Sequence, residues 1–209
     1  MRPRHPLPRK LPKQWLFSDE RAQTGLAELA ALIPPGSGVV FRHDGLASGP
    51  RWRLLRRLMY TARARKLVVL LAGTPDRAWR WGAGGVHLRQ RDAAWAAAQA
   101  RRLGLRVTMP VHDSREARRA GRAGADAVFI SPLHATRSHP GASALGRAVW
   151  LRLARLSGTQ AIALGGMTAR RARALNRASN MATGWAAIDA WDEKATKRRV
   201  RQKRKAVPI

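Results

Sequence analysis

Two stretches of this chain combine residue types that suit phosphate. Gly165-Gly166-Met167-Thr168 pairs bare glycines, whose backbone N–H groups an anion can approach, with a hydroxyl able to cap a following helix. The helix end would add a positive dipole. The same pair would also serve as a plain tight turn. Residues 131–141 include Ser131, His134, Thr136, Arg137, Ser138 and His139, which together offer hydroxyls, a guanidinium and imidazoles to an anion. A solvated loop is the bland alternative, but long loops inside compact domains are often functional. Asp19, Arg42, His43, Asp44, Gly73, Asp92, His112 and Asp189 stand in other short polar segments. The chain has no cysteine, which removes disulfides, thiolate metal sites and cysteine nucleophiles. His5 and His43 lack metal-ligand spacing.

These segments share a position relative to the elements around them. Apolar runs at 14–17, 38–41, 66–71, 85–88, 106–109, 126–130, 161–164 and 184–188 read as strands. Helical spacing fills 20–33, 50–64, 75–81, 93–103, 114–123, 146–156 and 169–179. Thr74 before Pro75, Asp113 with Ser114, and Thr168 mark helix starts. Eight alternating units predict a single-domain (β/α)8 TIM barrel over residues 14–191, with the polar segments at the C-terminal ends of the strands. An open doubly wound sheet would need a glycine-rich turn after the first strand, and Phe17-Ser18-Asp19-Glu20-Arg21 has none. His87 is expected to be packed, and the eight tryptophans to seat helices against the barrel.

At 209 residues and 45% apolar content the chain suits one domain with a substantial core. Residues 1–13 form a basic, proline-rich arm expected to be extended and solvated, and residues 192–209 a basic tail expected to be a frayed helix or disordered. No apolar run approaches the roughly 20 residues of a membrane helix, and the cytoplasm is the expected compartment. The net charge of +29 invites a nucleic-acid partner. That reading rests on charge alone, because no recognition module accompanies it; phosphorylated small molecules are the preferred partners. The oligomeric state is left open.

The loop motifs resemble the thiamine phosphate synthase/TenI family from Trp15 to about Trp191. Gly82-Ala83-Gly84-Gly85-Val86-His87-Leu88-Arg89-Gln90-Arg91-Asp92 is similar to the family's Gly-Ala-Asp-Gly-Val-His-Leu-Gly-Gln-x-Asp. Thr136-Arg137-Ser138-His139-Pro140-Gly141 is similar to its Thr-x-Thr-Lys-x-Gly loop, and Ile162-Ala163-Leu164-Gly165-Gly166-Met167 supplies the third piece. The resemblance implies a transferase of thiamine biosynthesis that joins a pyrimidine pyrophosphate to a thiazole phosphate with release of pyrophosphate, assisted by Mg2+. By resemblance Arg42 would contact pyrophosphate, Asp92 would hold magnesium, and His139 would occupy the position of the loop lysine. Thr136, Ser138, Gly165 and Gly166 would hold the thiazole phosphate.

The pattern also departs from the family. Gly73 stands at the second magnesium aspartate, Val40 at a glutamine, Asp44 at a lysine, Pro110 at a serine and Asp189 at a phosphate-binding serine. A diverged family member that binds a phosphorylated ligand is the alternative. A TenI-like thiazole tautomerase is another, although Pro132 occupies its histidine position.

Overall fold

The computed structural model describes residues 10–136, 141, 143–179 and 183–205. Eight parallel strands close into a barrel in sequence order: β1 (Gln14–Phe17), β2 (Gly38–Phe41), β3 (Val68–Ala72), β4 (Gly85–His87), β5 (Arg106–Val111), β6 (Ala127–Ile130), β7 (Gln160–Ala163) and β8 (Gly184–Ala187). β1 pairs with both β2 and β8, which closes the ring. The intervening helices are α1 (Leu26–Leu32), α2 (Ser48–Ala64), α3 (Pro75–Arg80), α4 (Ala93–Arg102), α5 (Ser114–Arg122), α6 (Gly146–Ser157) and α7 (Ala169–Ser179), with α8 (Asp189–Lys205) last. The chain is therefore a single-domain (β/α)8 barrel. Short strands and helices let it close with fewer residues than the usual barrel of about 250. Among the described residues no helix is long and apolar enough to cross a membrane.

Strand alternation divides the core in two. Trp15, Phe17, Val40, Leu70, Phe129 and Ile162 point inward and fill the barrel. Leu16, Val39, Phe41, Leu71, Val128 and Ile130 point outward and receive the helices. Inside, Phe129 takes the edges or faces of Trp15 and Phe17 at centroid distances of 5.3 and 4.8 Å. The Trp15 ring fits only because its neighbour on β2 has no side chain: a Cβ on Gly38 would lie 2.1 Å from Trp15 Cε3. Gly38→Ala is therefore expected to destabilise the fold by about 2 kcal/mol, within the range for overpacking a core. Urea unfolding checks this, and a loss below about 0.5 kcal/mol would mean that the ring moves freely.

Three segments differ from the expectations above. The first helix begins at Leu26 rather than residue 20. Asp19 accepts hydrogen bonds from Arg21 N and its guanidinium, and Asp192 accepts from the N–H groups of Gln23 and Thr24, so this stretch is held as a loop. The final helix continues through the segment expected to fray or be disordered, as far as Lys205. It is anchored by buried Trp191 and Ala195, by Trp191 Nε1 donating to Trp15 O at 3.0 Å, and by an Arg199–Glu28 ion pair. The last residues of the N-terminal arm are tied to the barrel while Lys10 and Lys13 stay exposed: Leu11 is buried in the inner core, and Lys13 O accepts from Trp185 N at 2.7 Å.

Candidate phosphate site at the strand ends

The strand ends open on a cavity of about 170 Å³ whose wall includes Phe17, Arg42, His112, Thr136, Gly166 and Asp189. Gly165 belongs to the same wall. Both glycines adopt positive φ, +88° and +59°, and the loops on either side close over them. Leu133 N donates to Leu164 O at 2.9 Å and His134 N to Gly165 O at 3.2 Å. A Cβ on Gly165 would lie 2.7 Å from Pro132 Cα, and one on Gly166 2.5 Å from Ala135 O. Neither side of this seam has room for a side chain. Thr168 Oγ1 accepts from Arg171 N at 3.2 Å and caps α7, while the Arg171 guanidinium donates to Gly166 O. Among the described residues, no acceptor takes the N–H of Gly165 or Gly166. The seam thus presents backbone donors beside a helix N-terminus, a setting that suits an anion.

Arg42 reaches the cavity from β2 with its charge already partnered. It donates to Asp19 Oδ2 at 2.6 Å and to Ser18 O at 3.0 Å, and its guanidinium stands 5.7 Å from the Phe17 ring centre. Burial works against ionisation of Asp19. Hydrogen bonds from Arg21 and the charge of Arg42 outweigh it and hold the carboxyl below its usual range. Ser18 Oγ accepts from Arg42 N at 2.8 Å and lies 2.9 Å from His43 Nδ1, so the ends of the first two strands lock together.

Behind this wall lies Arg51 of α2, with its side chain 5% exposed. It donates to Arg42 O through Nε and Nη2 at 2.8 and 2.5 Å. Nη2 also reaches Asp44 Oδ1 and Ala72 O, each at 2.7 Å. The guanidinium packs over Phe41 and Trp81. Burial draws its pKa down, against the opposing charge of Asp44. The carboxylate at the family's lysine position is thus neutralised, and Asp44 is not part of the cavity wall. Asp189 does belong to that wall and acts electrostatically on Arg21. Sequence reasoning missed Arg51. The available signal was its place on the buried stripe of α2 with Leu55, Leu58 and Ala62, where a cation needs a reason to stand.

Asp92 stands at the start of α4, 3.9 Å from Arg91 Nε, and is not among the residues that wall the cavity. Gly73 replaces the second aspartate and adopts φ +153°, a setting side chains rarely take. Among the described residues no three His, Asp or Glu side chains gather as a ligand set. The donor set does not fit a magnesium ion held by paired carboxylates. Ser138 and His139 lie outside the described residues.

Of two nearby histidines, one lines the cavity and the other is packed inside the barrel. His112, which follows β5, lines the cavity and pairs with Glu116 at 2.9 Å. His87 projects into the barrel between Phe17 and Phe129, with Nδ1 3.0 Å from Thr108 Oγ1. Burial, reinforced by the charge of Arg42, lowers its pKa to about 3. Between pH 6.5 and 3 the unfolded chain binds the proton that folded His87 refuses, so stability should fall as pH drops through that window. His87→Gln is expected to flatten this slope. Urea unfolding at several pH values checks it, and an imidazole seen by NMR to titrate near pH 6.5 would contradict it.

A sequence profile described as thiamine monophosphate synthase matches residues 16–190. No curated protein matches the chain by sequence. Among solved structures, thiamine phosphate pyrophosphorylase from Pyrococcus furiosus shares 17% identity at a TM-score of 0.71, covering 91% of this chain and 98% of that one. FabK from Thermotoga maritima shares 18% identity at a TM-score of 0.65, covering 86% of this chain and 59% of that one. The YdjI aldolase from Escherichia coli K12 shares 12% at 0.58, covering 85% of this chain and 75% of its own length. These structural likenesses carry the barrel architecture, whereas the profile spans most of the strand ends that build the cavity: the chain belongs to the thiamine monophosphate synthase (TMP-TENI) family.

Proposed function

We propose that this protein acts in thiamine biosynthesis by binding thiazole phosphate at the Gly165–Gly166 seam and joining it to a pyrimidine pyrophosphate. The carrying observation is the pair of positive-φ glycines whose N–H groups have no acceptor among the described residues, set in a cavity wall with Thr136 and Arg42. The seam and the α7 terminus would hold the phosphate and orient the ring. In the transfer, the carbon–oxygen bond to pyrophosphate breaks and the thiazole nitrogen forms the new bond to that carbon. Negative charge then grows on the leaving group, where a fixed cation is worth most. Arg42 is the cavity-wall cation available for that role, already oriented by Asp19 and Ser18. The small phosphorylated substrates and the absence of cysteine fit a cytoplasmic setting.

A specific observation favours a second reading, a family member that binds the phosphorylated ligand without transfer. Gly73 leaves the pyrophosphate side without its second carboxylate, and Arg42 is already paired with Asp19. One experiment separates the two. Purified protein incubated with both substrates and magnesium should yield thiamine phosphate, detected by chromatography. No product at any enzyme concentration, together with a raised melting temperature in thiazole phosphate, would replace the first reading with the second. A flat melting temperature across thiazole phosphate and pyrophosphate would remove both.

A further inference from the structure

The outer face of α2 carries a groove unrelated to the strand-end cavity. We infer that this groove, between α2 and α3, binds single-stranded nucleic acid, with bases stacking on Trp52 and Tyr60 and phosphates meeting the arginines of α2. It encloses about 580 Å³, and its walls include Trp52, Tyr60, Arg53, Arg56, Arg57 and Arg63. Charge alone could not distinguish such a site from a solvated basic surface. The structure adds exposed rings among those charges: Trp52 is 37% exposed and Tyr60 82%.

Helical spacing makes the arrangement regular. Trp52, Arg56 and Tyr60 follow at intervals of four, so ring, guanidinium and ring stand in one row about 12 Å long. Arg56 lies over one face of the Trp52 ring, 4.8 Å from its centre. α2 contains no aspartate or glutamate, and no carboxylate among the described residues pairs with Arg53, Arg56, Arg57 or Arg63. The carboxylate of Asp76 on α3 is taken by Arg80. Tyr60, 82% exposed, and Trp52, with one face under Arg56, stand beside unneutralised guanidiniums and match the two needs of a flexible polynucleotide: a surface for unpaired bases and cations for the backbone. A duplex would bury its base faces and leave the rings unused. A second copy of this chain is disfavoured by its own net charge of +29, because like surfaces repel.

Fluorescence anisotropy of the full chain with a labelled oligo(U) of about 20 nucleotides tests this, alongside a duplex of equal length. Binding should weaken steeply as salt rises from about 50 to 200 mM. Tyr60→Ala and Trp52→Ala should each lower affinity by about tenfold, in keeping with loss of one stacked base. Arg53→Ser combined with Arg57→Ser should reduce the salt slope by about two. Replacing exposed Lys197, Arg198 and Arg201 of α8 by serine should change affinity by less than about threefold. The substituted side chains are on the surface, and a melting curve verifies that each variant is folded. The inference is overturned if the two ring variants bind like wild type, if the α8 variant alone loses binding, or if the duplex binds as tightly as the single strand. Capture by phosphatidylserine vesicles without oligonucleotide binding would assign the face to a membrane surface and equally overturn it.

Discussion

Arg51→Ala is expected to cost about 3 kcal/mol of folding free energy, which is large against the roughly 5–15 kcal/mol that holds a typical domain together. The magnitude follows from what the guanidinium leaves behind. Ala72 O, in a buried bond, and Arg42 O, in a partly buried one, accept from it at the ends of β3 and β2, and a buried carbonyl left without a donor costs about 1–3 kcal/mol. Asp44 adds little, because its carboxylate is 50% exposed and water can replace the partner. Lost contact with Phe41 and Trp81 completes the penalty. Arg51→Lys should recover only part of it, since one ammonium cannot reproduce a planar fork that reaches carbonyls on two strands. Urea unfolding of the three proteins measures the effect. A loss under about 1 kcal/mol for the alanine variant would show that the strand ends hold without this clamp.

Arg51 also marks the boundary of what could be read from the chain. β1 and β2 were legible to the residue because compact apolar runs are bounded by polar or turn-forming neighbours, and α7 because Thr168 caps it and Ser179 ends its periodic stripe. Such signals are local. The first helix was misplaced because its true start depends on Asp192, far along the chain, which occupies the Gln23 and Thr24 amides. The final helix was underestimated for the converse reason: Trp191 and Ala195 become anchors only once β1 and α1 are there to receive them.

The candidate site divides in the same way. Gly165 and Gly166 are adjacent in sequence, so the tight positive-φ turn that they form at the cavity wall was visible in advance. The pairings Asp19–Arg42 and Asp44–Arg51 link residues brought together by barrel closure and by the packing of α2. In sequence, Asp44 was only an anion where the family has a cation. In the fold it is half of an ion pair whose other half fastens Arg42 from behind.

Gly166→Ala should weaken thiazole phosphate binding by about a hundredfold, equivalent to about 2.7 kcal/mol, while leaving the barrel folded. A methyl at this position would approach Ala135 O to 2.5 Å, His134 Cβ to 3.0 Å and Arg171 Nη1 to 3.1 Å. The backbone at φ +59° is open to alanine at a cost of only about 1–2 kcal/mol, so strain alone leaves the fold intact. The steric conflict is with the neighbouring loop, which must move away and take Thr136 with it. Both the amide and the hydroxyl proposed to meet the phosphate would then be displaced together. In wild type, ligand at about a hundred times its Kd should stabilise the fold by about 2.7 kcal/mol, an effect that the same concentration would largely fail to produce in the variant. Calorimetric titration alongside thermal melts separates lost affinity from lost stability. Unchanged affinity in the Gly166→Ala variant would show that the phosphate is held elsewhere on the cavity wall.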